Sequence, residues 1–591
     1  MEKNLLRNLR QIVFHYKFRF LFAIFLDFCS NLLLVSNPLL MREAITFLTG
    51  NKPSLSFPLS LFSRYADFIL FWVILFFTIA VAVACLRYSM RVIFFTISRE
   101  AEMAVRSLIF KKIQKQSRAF YDKYEIGELL SRLTNDVSAY RDVLGPGMMY
   151  PIYVFTLMIP AYSALFFISH TLFLVALLPL LLVPIVNAFI KRKVYKHSKL
   201  VQYLLGRLSS LVQEHYSGIR IIKGYQAEND LFRSFSQQNV ELAHQSYWLT
   251  IYEQVVFPFL STVTKSLTIV LVIVASFLIL SYQSMTLADF VSFMWIQSYI
   301  FFPIVMLTWL LPIYERGKVA YERLFEIFNE PIEVTNDKGK YTIPINSEIC
   351  FHNLTFAYPL TDRTVLKNIN LCIKPGTFVG ITGPIGSGKS TLFKLLNREY
   401  EIPNEMITIG GKDIHEYKLD SFNETFVTVE QLPFLFSTTI AENISIGKEL
   451  VSKEELDQAA EHALLHETIL EFPNQWETMV GEKGVMLSGG QKQRVAMARA
   501  FIVNRSILLL DDIFSAIDSS TQKKIFASMK KNFIGKTILL ITHKVSLLKE
   551  MDRILYLHDG QIIEDGTPGE LLNKKGAFSA LAALQGQDDG E

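Results

Sequence analysis

The sequence predicts a two-part chain: an all-α membrane-spanning half, then an α/β half that binds phosphate. Three observations carry this. Apolar segments of membrane-spanning length recur, and nearly all lie before residue 315. The nonapeptide Gly383-Pro-Ile-Gly-Ser-Gly-Lys-Ser-Thr391 sits between an apolar strand pattern and a helical one. The run Ile507-Leu-Leu-Leu-Asp511 ends a second apolar strand on a carboxylate. Composition agrees. The chain has 591 residues, of which 51% are hydrophobic, and its mean hydropathy is +0.29. That is too apolar for a fully soluble chain, and a formal charge of +4 is too small to argue for nucleic-acid binding.

Six spans are expected, near 18–41, 67–96, 146–169, 171–191, 251–281 and 288–314. The approach to the first, Asn4 to Val13, is an amphipathic pattern suited to a membrane surface, with Arg7 and Arg10 toward headgroups. That first run has no small-residue cleavage site and reaches spanning length, so it reads as a span and not a signal peptide. The connections at 97–145 and 192–250 are long and basic, with Lys111, Lys112, Lys115, Arg118, Lys191, Arg192, Lys193 and Lys196. The positive-inside rule places them, both termini and the α/β half in the cytoplasm. Helical periodicity extends spans two to five into long rods. Within the spans, Lys265 is a charge that needs water or a partner, or that snorkels to an interface. Asp27 and Asn31 lie one turn apart, either facing a substrate cavity or bonding neighbouring helices.

An amphipathic helix continues span six to Phe328, which closes the first domain at 1–328. A linker follows at 329–347, carrying Pro331, Gly339 and Pro344. The nucleotide-binding domain is expected at 348–582, with a polar tail at 583–591. Gly383, Gly386 and Gly388 let the backbone turn its N–H groups toward one anion, with Ser387 between the last two. Lys389 can reach β- and γ-phosphates, Ser390 can ligate Mg²⁺, and Thr391 can bind a phosphate oxygen. Asp511 suits a Mg²⁺-organising carboxylate. Gln431 and His543 each follow a predicted strand, where such residues alone are more often structural than catalytic, but their order and spacing among the other motifs favour a catalytic role, with Asp512. The four cysteines, Cys29, Cys85, Cys350 and Cys372, make no C-x-x-C pair. Cys350 and Cys372 fall in a domain read as cytosolic, where thiols stay reduced.

These motifs, in this order, resemble the nucleotide-binding domain of an ATP-binding cassette (ABC) transporter over about 345–580. The likeness covers Walker A at 383–391, the Q-loop Gln431, the signature Leu487-Ser488-Gly489-Gly490-Gln491, Walker B at 507–511, the D-loop ending in Asp518 and the switch His543. Tyr358 stands where the family stacks an aromatic ring on adenine. The resemblance implies a RecA-like core with a helical subdomain bearing the signature, and ATP and Mg²⁺ as cofactors. Metal ligation would fall to Ser390, Gln431 and Asp511. Two such domains would sandwich ATP between the P-loop of one and the signature of the other. Phe120 to Asp136 and Gln213 to Glu228 resemble the cytoplasmic loops of type IV exporters, which implies coupling helices near 121–128 and 225–232. Without the resemblance, both read as solvated helix faces.

Two positions depart from the family pattern. The residue after Asp511 is usually Glu and here is Asp512, whose carboxylate lies about 1–1.5 Å farther back, a displacement that can reduce rate ~10²-fold. Met479 replaces an acidic residue common in exporters, in a loop thought to touch the partner. An intact signature beside Asp512 resembles the weak-site subunit of heterodimeric multidrug exporters, so the expected partner is a second half-transporter. A homodimer ranks second. The cargo is expected to be a drug, lipid or other amphiphile. A chain of another class, an ATP-gated channel or regulator, would share these motifs and differ by ATP-gated conductance in place of vectorial accumulation.

Overall fold

The computed structural model describes residues 16–48, 69–282, 285–334, 339–359, 361–481 and 484–588. The amphipathic segment Asn4 to Val13 lies outside them. The chain divides into two compact units, Met1–Ile113 with Gly127–Glu330 and Gln114–Ile126 with Pro331–Glu591.

Among the described residues, the regular structure of the first unit is helical. It opens with the long helices α1 (Lys17–Leu48) and α2 (Ile69–Gln114). Short helices α3 (Arg118–Lys123), α4 (Ile126–Ser131) and α5 (Val137–Leu144) follow, α3 belonging to the second unit. Then come α6 (Pro146–Ile168), α7 (His170–Ala176), α8 (Leu178–Ser217), α9 (Ile219–Tyr225), α10 (Glu228–Leu280) and α11 (Leu287–Asn329). Among the described residues, three helical stretches are long and apolar enough to cross a membrane: Lys17–Phe47, Ile69–Gln114 and Ile126–Ile168. The shorter apolar stretch Lys265–Leu280 lies in α10. α11 packs on α6 and α1, and α8 packs along α10. Val35, Leu157, Leu271, Phe293 and Ile296 form the centre of that packing. Outward faces carry Phe22, Phe77 and Phe167, which suit lipid.

The polar residues of the spans fall into two groups. Asp27 and Asn31 are fully enclosed. Asn31 donates to the Thr156 hydroxyl at 2.9 Å and accepts from Arg87 at 3.2 Å. The Thr156 hydroxyl in turn donates to Asp27. The pair therefore joins α1 to α6 and α2 in this conformation and does not line an open cavity. The Thr156 hydroxyl partners one Asp27 oxygen and the Asn31 amide, which lipid could not do, while the other Asp27 oxygen is buried with no hydrogen-bond partner among the described residues. Lys265, by contrast, is exposed and has no ion-pair partner among the described residues.

The segment expected to couple at 121–128 is helical over Arg118–Lys123 and again from Ile126. Within the second unit, the Arg118 N–H donates to the Glu399 carbonyl at 3.2 Å. The Tyr400 hydroxyl donates to Asp122, Ser117 donates to Glu333 at 2.8 Å, and Ala119 joins the apolar core. The segment expected at 225–232 breaks at Gln226, whose φ is 53°. α9 before it buries no residue, and Tyr225 and Ile221 are exposed.

Among the described residues, the second unit holds two sheets. Their strands are β1 (Ile349–Ala357), β2 (Thr364–Ile373), β3 (Phe378–Thr382), β4 (Ile407–Ile409), β5 (Lys412–Asp413), β6 (Phe426–Val429), β7 (Ile507–Asp511), β8 (Thr537–Ile541), β9 (Arg553–His558) and β10 (Gln561–Gly566). An antiparallel sheet runs β2-β1-β4-β5, and a six-stranded sheet runs β10-β9-β3-β8-β7-β6. In the latter, β9, β3, β8, β7 and β6 are parallel. Both faces of this sheet are covered. Leu508, Leu510, Ile538 and Leu540 enter the core shared with the helical subdomain. Ile507, Leu509, Leu539 and Ile541 enter the core shared with the antiparallel sheet. Two covered faces are why these strands read as unbroken apolar runs.

Two expectations are corrected here. Cys350 and Cys372 are not separate thiols but face each other across β1 and β2 and are joined as a disulfide. The register of the two strands, which no local pattern reveals, brings them together. The polar tail expected from residue 583 is instead helical through Asp588 in the helix Ala577–Asp588. Its Gln585 hydrogen-bonds back into the sheet's loops.

Candidate nucleotide site

Four neighbouring parallel strands deliver the site. β3 leads into Gly383, β7 ends at Asp511, β6 lies two residues before Gln431, and β8 two residues before His543. Their carboxyl ends open on one edge, where doubly wound sheets bind ligands. Gly383 adopts φ 137°, and a Cβ there would lie 1.9 Å from the Leu557 carbonyl oxygen, so no other residue fits. Helix α12 (Lys389–Leu396) begins directly after the loop, and its unsatisfied N–H groups face it.

The Lys389 ammonium folds over its own loop, donating to the carbonyls of Gly383 (2.9 Å) and Pro384 (2.7 Å). Burial pulls its pKa down, and the Asp511 and Asp512 carboxylates offset this in part. Beside it is a cavity of about 340 Å³ lined by Tyr358, Thr364, Val365, Gly386, Ser390 and Asp559, among others. The Tyr358 hydroxyl is hydrogen-bonded to Thr391 at 3.0 Å, and the Lys394 ammonium lies 5.5 Å from the Tyr358 ring centre. A tyrosine wall beside a P-loop gives a flat apolar face for a base and a cradle for its phosphates.

Burial raises the pKa of Asp511, while a Ser390 hydrogen bond and the Lys389 charge hold it back. Ser390 and Asp511 thus bring two hard oxygen donors together at the phosphate end, a set that fits Mg²⁺. Bound there, Mg²⁺ would neutralise charge on β- and γ-phosphate oxygens. Gln431, the third expected ligand, is engaged differently: its amide donates to the Asp512 carboxylate at 3.1 Å. Asp512 has φ 43°, and its N–H donates to the Ile541 carbonyl at 2.9 Å. Burial raises its pKa against the pull of His543. Burial lowers that of His543, Lys389 adds to this, and Asp512 opposes it. Gln431, Asp512, His543 and Lys389 therefore form one electrostatic group.

The signature lies apart from this group and opens helix α13 (Gly489–Ile502). Ser488 caps it: its hydroxyl accepts from the Gln491 N–H, and the Gln491 side chain accepts from the Ser488 N–H. Ser488 and Gly489 are exposed, and Leu487 is buried. A Cβ on Gly490 would lie 2.7 Å from the Ala516 carbonyl, so the signature and D-loop touch backbone to backbone. Asp518 caps helix α14 (Ser519–Asn532), accepting from the Thr521 N–H at 2.9 Å, and these contacts hold its pKa low.

Sequence reasoning missed two residues. Gln493 donates to Ser515 at 2.9 Å and accepts from the Ala516 N–H at 3.1 Å, fixing the D-loop to α13. Gln585, in the terminal helix α15 (Ala577–Asp588), donates to the His543 carbonyl at 2.7 Å and accepts from the Val545 N–H at 2.9 Å. No local signal marks Gln585. Gln493 could be suspected from its place two residues past the signature.

Comparisons with known proteins match both halves. The family model described as "ABC transporter transmembrane region" covers residues 20–304, and the one described as "ABC transporter" covers residues 366–515. The uncharacterized ABC transporter ATP-binding protein YknU of Bacillus subtilis is 33% identical over 487 residues, 82% of this chain and 83% of that protein. The multidrug resistance-like ATP-binding protein MdlA of Escherichia coli is 31% identical over 520 residues, 88% of each. An ATP-dependent lipid A-core flippase of Chromohalobacter salexigens is 32% identical over 495 residues, 83% of this chain and 85% of that one. The structure of a bacterial Atm1-family ABC exporter with ATP bound superimposes with a TM-score of 0.79 at 22% identity, covering 98% of both chains, and so shares the fold.

Proposed function

The chain belongs to the ABC transporter family as an exporter-type half-transporter, an integral membrane protein that couples ATP hydrolysis to transport, and from that premise we propose that it is the weaker-site subunit of a heterodimer. The observation that carries this is Asp512 beside an intact signature. Asp512 leaves β7 in a left-handed backbone conformation and already bonds Gln431 at 3.1 Å. Its carboxylate has the charge of a water-polarising base without the reach of Glu. Ser488 and Gly489 remain exposed on an ordered helix N-terminus, ready to close on a partner's P-loop.

Each residue has a part in this reading. Tyr358 receives adenine. The loop from Gly383 through Gly386, Ser387 and Gly388, with Lys389 and Thr391, holds the phosphates, and Ser390 and Asp511 hold Mg²⁺. Gln431 orients Asp512, and His543 and Asp518 border the γ-phosphate and the dimer contact. ATP closes the dimer because it binds the closed state more tightly than the open one. The short helix at 118–123 then carries that motion toward the spans. The basic loops and the ATPase unit face the cytoplasm. The cargo class is amphiphilic, in keeping with the multidrug and lipid A-core relatives.

The test separates the two sites. The purified chain alone should hydrolyse ATP slowly, Asp512→Glu should raise that rate, and Ser488→Arg should stop fast turnover in the complex although it lies on this chain. A chain that turns over as fast alone as with any second half-transporter, and gains nothing from Asp512→Glu, would be a homodimer with Asp512 as an adequate base.

A further inference from the structure

Cys350 and Cys372 are directly paired residues of β1 and β2, with Cα atoms 4.1 Å apart. That spacing is nearer to the ~4.5 Å of non-hydrogen-bonded antiparallel pairs, whose side chains stand closest, than to the ~5.5 Å of hydrogen-bonded ones. β2 is the edge strand of its sheet. Its ladder with β1 is regular only from Ile349 to Phe351 and is irregular at three points toward the Tyr358 end. That far end forms one wall of the nucleotide cavity, through Tyr358, Thr364, Val365 and Lys367. The cysteines thus sit in the regular base of a hairpin whose irregular tip touches ATP. Arg553 of the other sheet donates to the Cys372 carbonyl at 2.7 Å, so the base is tied to the main core. Cys372 is exposed and Cys350 half-buried, so small thiols reach the pair.

We infer that Cys350 and Cys372 are a reversible thiol–disulfide site that sets how firmly the edge strand β2 is held beside the nucleotide. The oxidant is a low-molecular-weight disulfide such as glutathione disulfide. The more exposed Cys372, as thiolate, attacks one sulfur and releases one small thiolate. The Cys350 thiolate then attacks Cys372 in the mixed disulfide and releases the second. Two protein thiols lose two electrons and two protons, and one small disulfide becomes two thiols. Closing the bond across a sequence separation of 22 constrains β2 when it detaches. The carboxylate of Glu348 and the two sulfurs lie within 4.8 Å of one another, so a soft metal ion would compete for the same thiolates.

The test uses the full chain in lipid nanodiscs with Cys29→Ser and Cys85→Ser, in buffers of reduced and oxidised glutathione that hold either a chelator or added zinc. Mass-tagged maleimide should find either two thiols or none, interconverting reversibly across the buffer series. Hydrogen exchange of the β2 amides, 364–373, should slow on oxidation, on the order of 10-fold or more. Cys350→Ser and Cys372→Ser should each take a single glutathione adduct and lose the slowing. Two thiols at every ratio, stable mixed adducts in the two-cysteine chain, protection that needs zinc and not oxidant, or β2 exchange indifferent to oxidation would each overturn the inference. None of these readouts depends on whether the chain pairs with itself or with another.

Discussion

Gln585→Ala is the sharpest test of how the switch histidine is held. In the structure, one side chain makes two hydrogen bonds to the loop after β8: its amide donates to the His543 carbonyl at 2.7 Å, and its oxygen accepts from the Val545 N–H at 2.9 Å. Gln585 is half-buried, so water can replace part of what it supplies. Two neutral hydrogen bonds contribute about 1–3 kcal/mol together. If about half of that holds His543 in its working position, hydrolysis falls by about 2- to 12-fold. Gln585 touches neither Lys389 nor Tyr358, so KM for ATP should stay within about 2-fold while kcat drops. Gln585→Glu separates positioning from simple truncation. It keeps an acceptor for Val545 but sets a carboxylate against the His543 carbonyl, and should be at least as slow as Gln585→Ala. The assay is steady-state ATPase of the complete transporter in nanodiscs, with both constants measured. Variants with unchanged kcat, or with KM rising in step, would refute the view that the terminal helix positions the switch.

Other expectations follow from exposed and buried charge. Lys265 is exposed on α10 in an apolar stretch, so a Lys265→Cys variant lacking the native cysteines should react with water-soluble maleimide, and Lys265→Met should change substrate preference with basal ATPase unchanged; labelling by lipid-soluble reagents alone would make it a snorkelling side chain. His415 is buried between Glu401 (3.2 Å) and Asp413 (2.5 Å), and these contacts raise its pKa against burial. A raised folded pKa gives stability that is full below about 6.5 and lost as pH rises through the folded value. The ATPase unit should therefore melt at a lower temperature at pH 9 than at pH 6 by more than the His415→Gln variant does, as read by calorimetry.

What the sequence made legible is what lies close along the chain. The P-loop needs only a strand, nine residues and a helix, all contiguous, and the parallel strands announce themselves because both of their faces are covered. The contacts that tune the site are distant in sequence. Gln585 reaches His543 across 42 residues, and Tyr400 meets Asp122 across 278. Thr156 completes Asp27 across 129. Each needs two independent elements to be placed before a side chain can find its partner, and neither element carries a pattern for it. The cysteine pair fails for a subtler reason. Both strands are visible in the sequence, but only their register makes Cys350 and Cys372 opposite, and a slip of one residue would turn one cysteine to the other face.

Asp512 shows how backbone and chemistry bear on one position. Its φ of 43° lies in the left-handed region, where Asp is tolerated far better than longer side chains because its short polar group bonds locally. A Glu placed at this turn would carry more backbone strain than Asp in exchange for a longer reach, a trade that active sites commonly make. On the weaker-site reading proposed above, Asp512 suits the turn at the expense of reach. Asp512→Glu should then do two opposite things at once. Turnover should rise at this chain's own site, and the ATPase unit should become less stable by up to about 1 kcal/mol, a fall in melting temperature of about 2–4 °C. Calorimetry and ATPase measured on the same preparation decide it. A variant that gains both activity and stability would show that the backbone at 512 carries no strain for Glu, and that the shorter side chain was not selected by the turn.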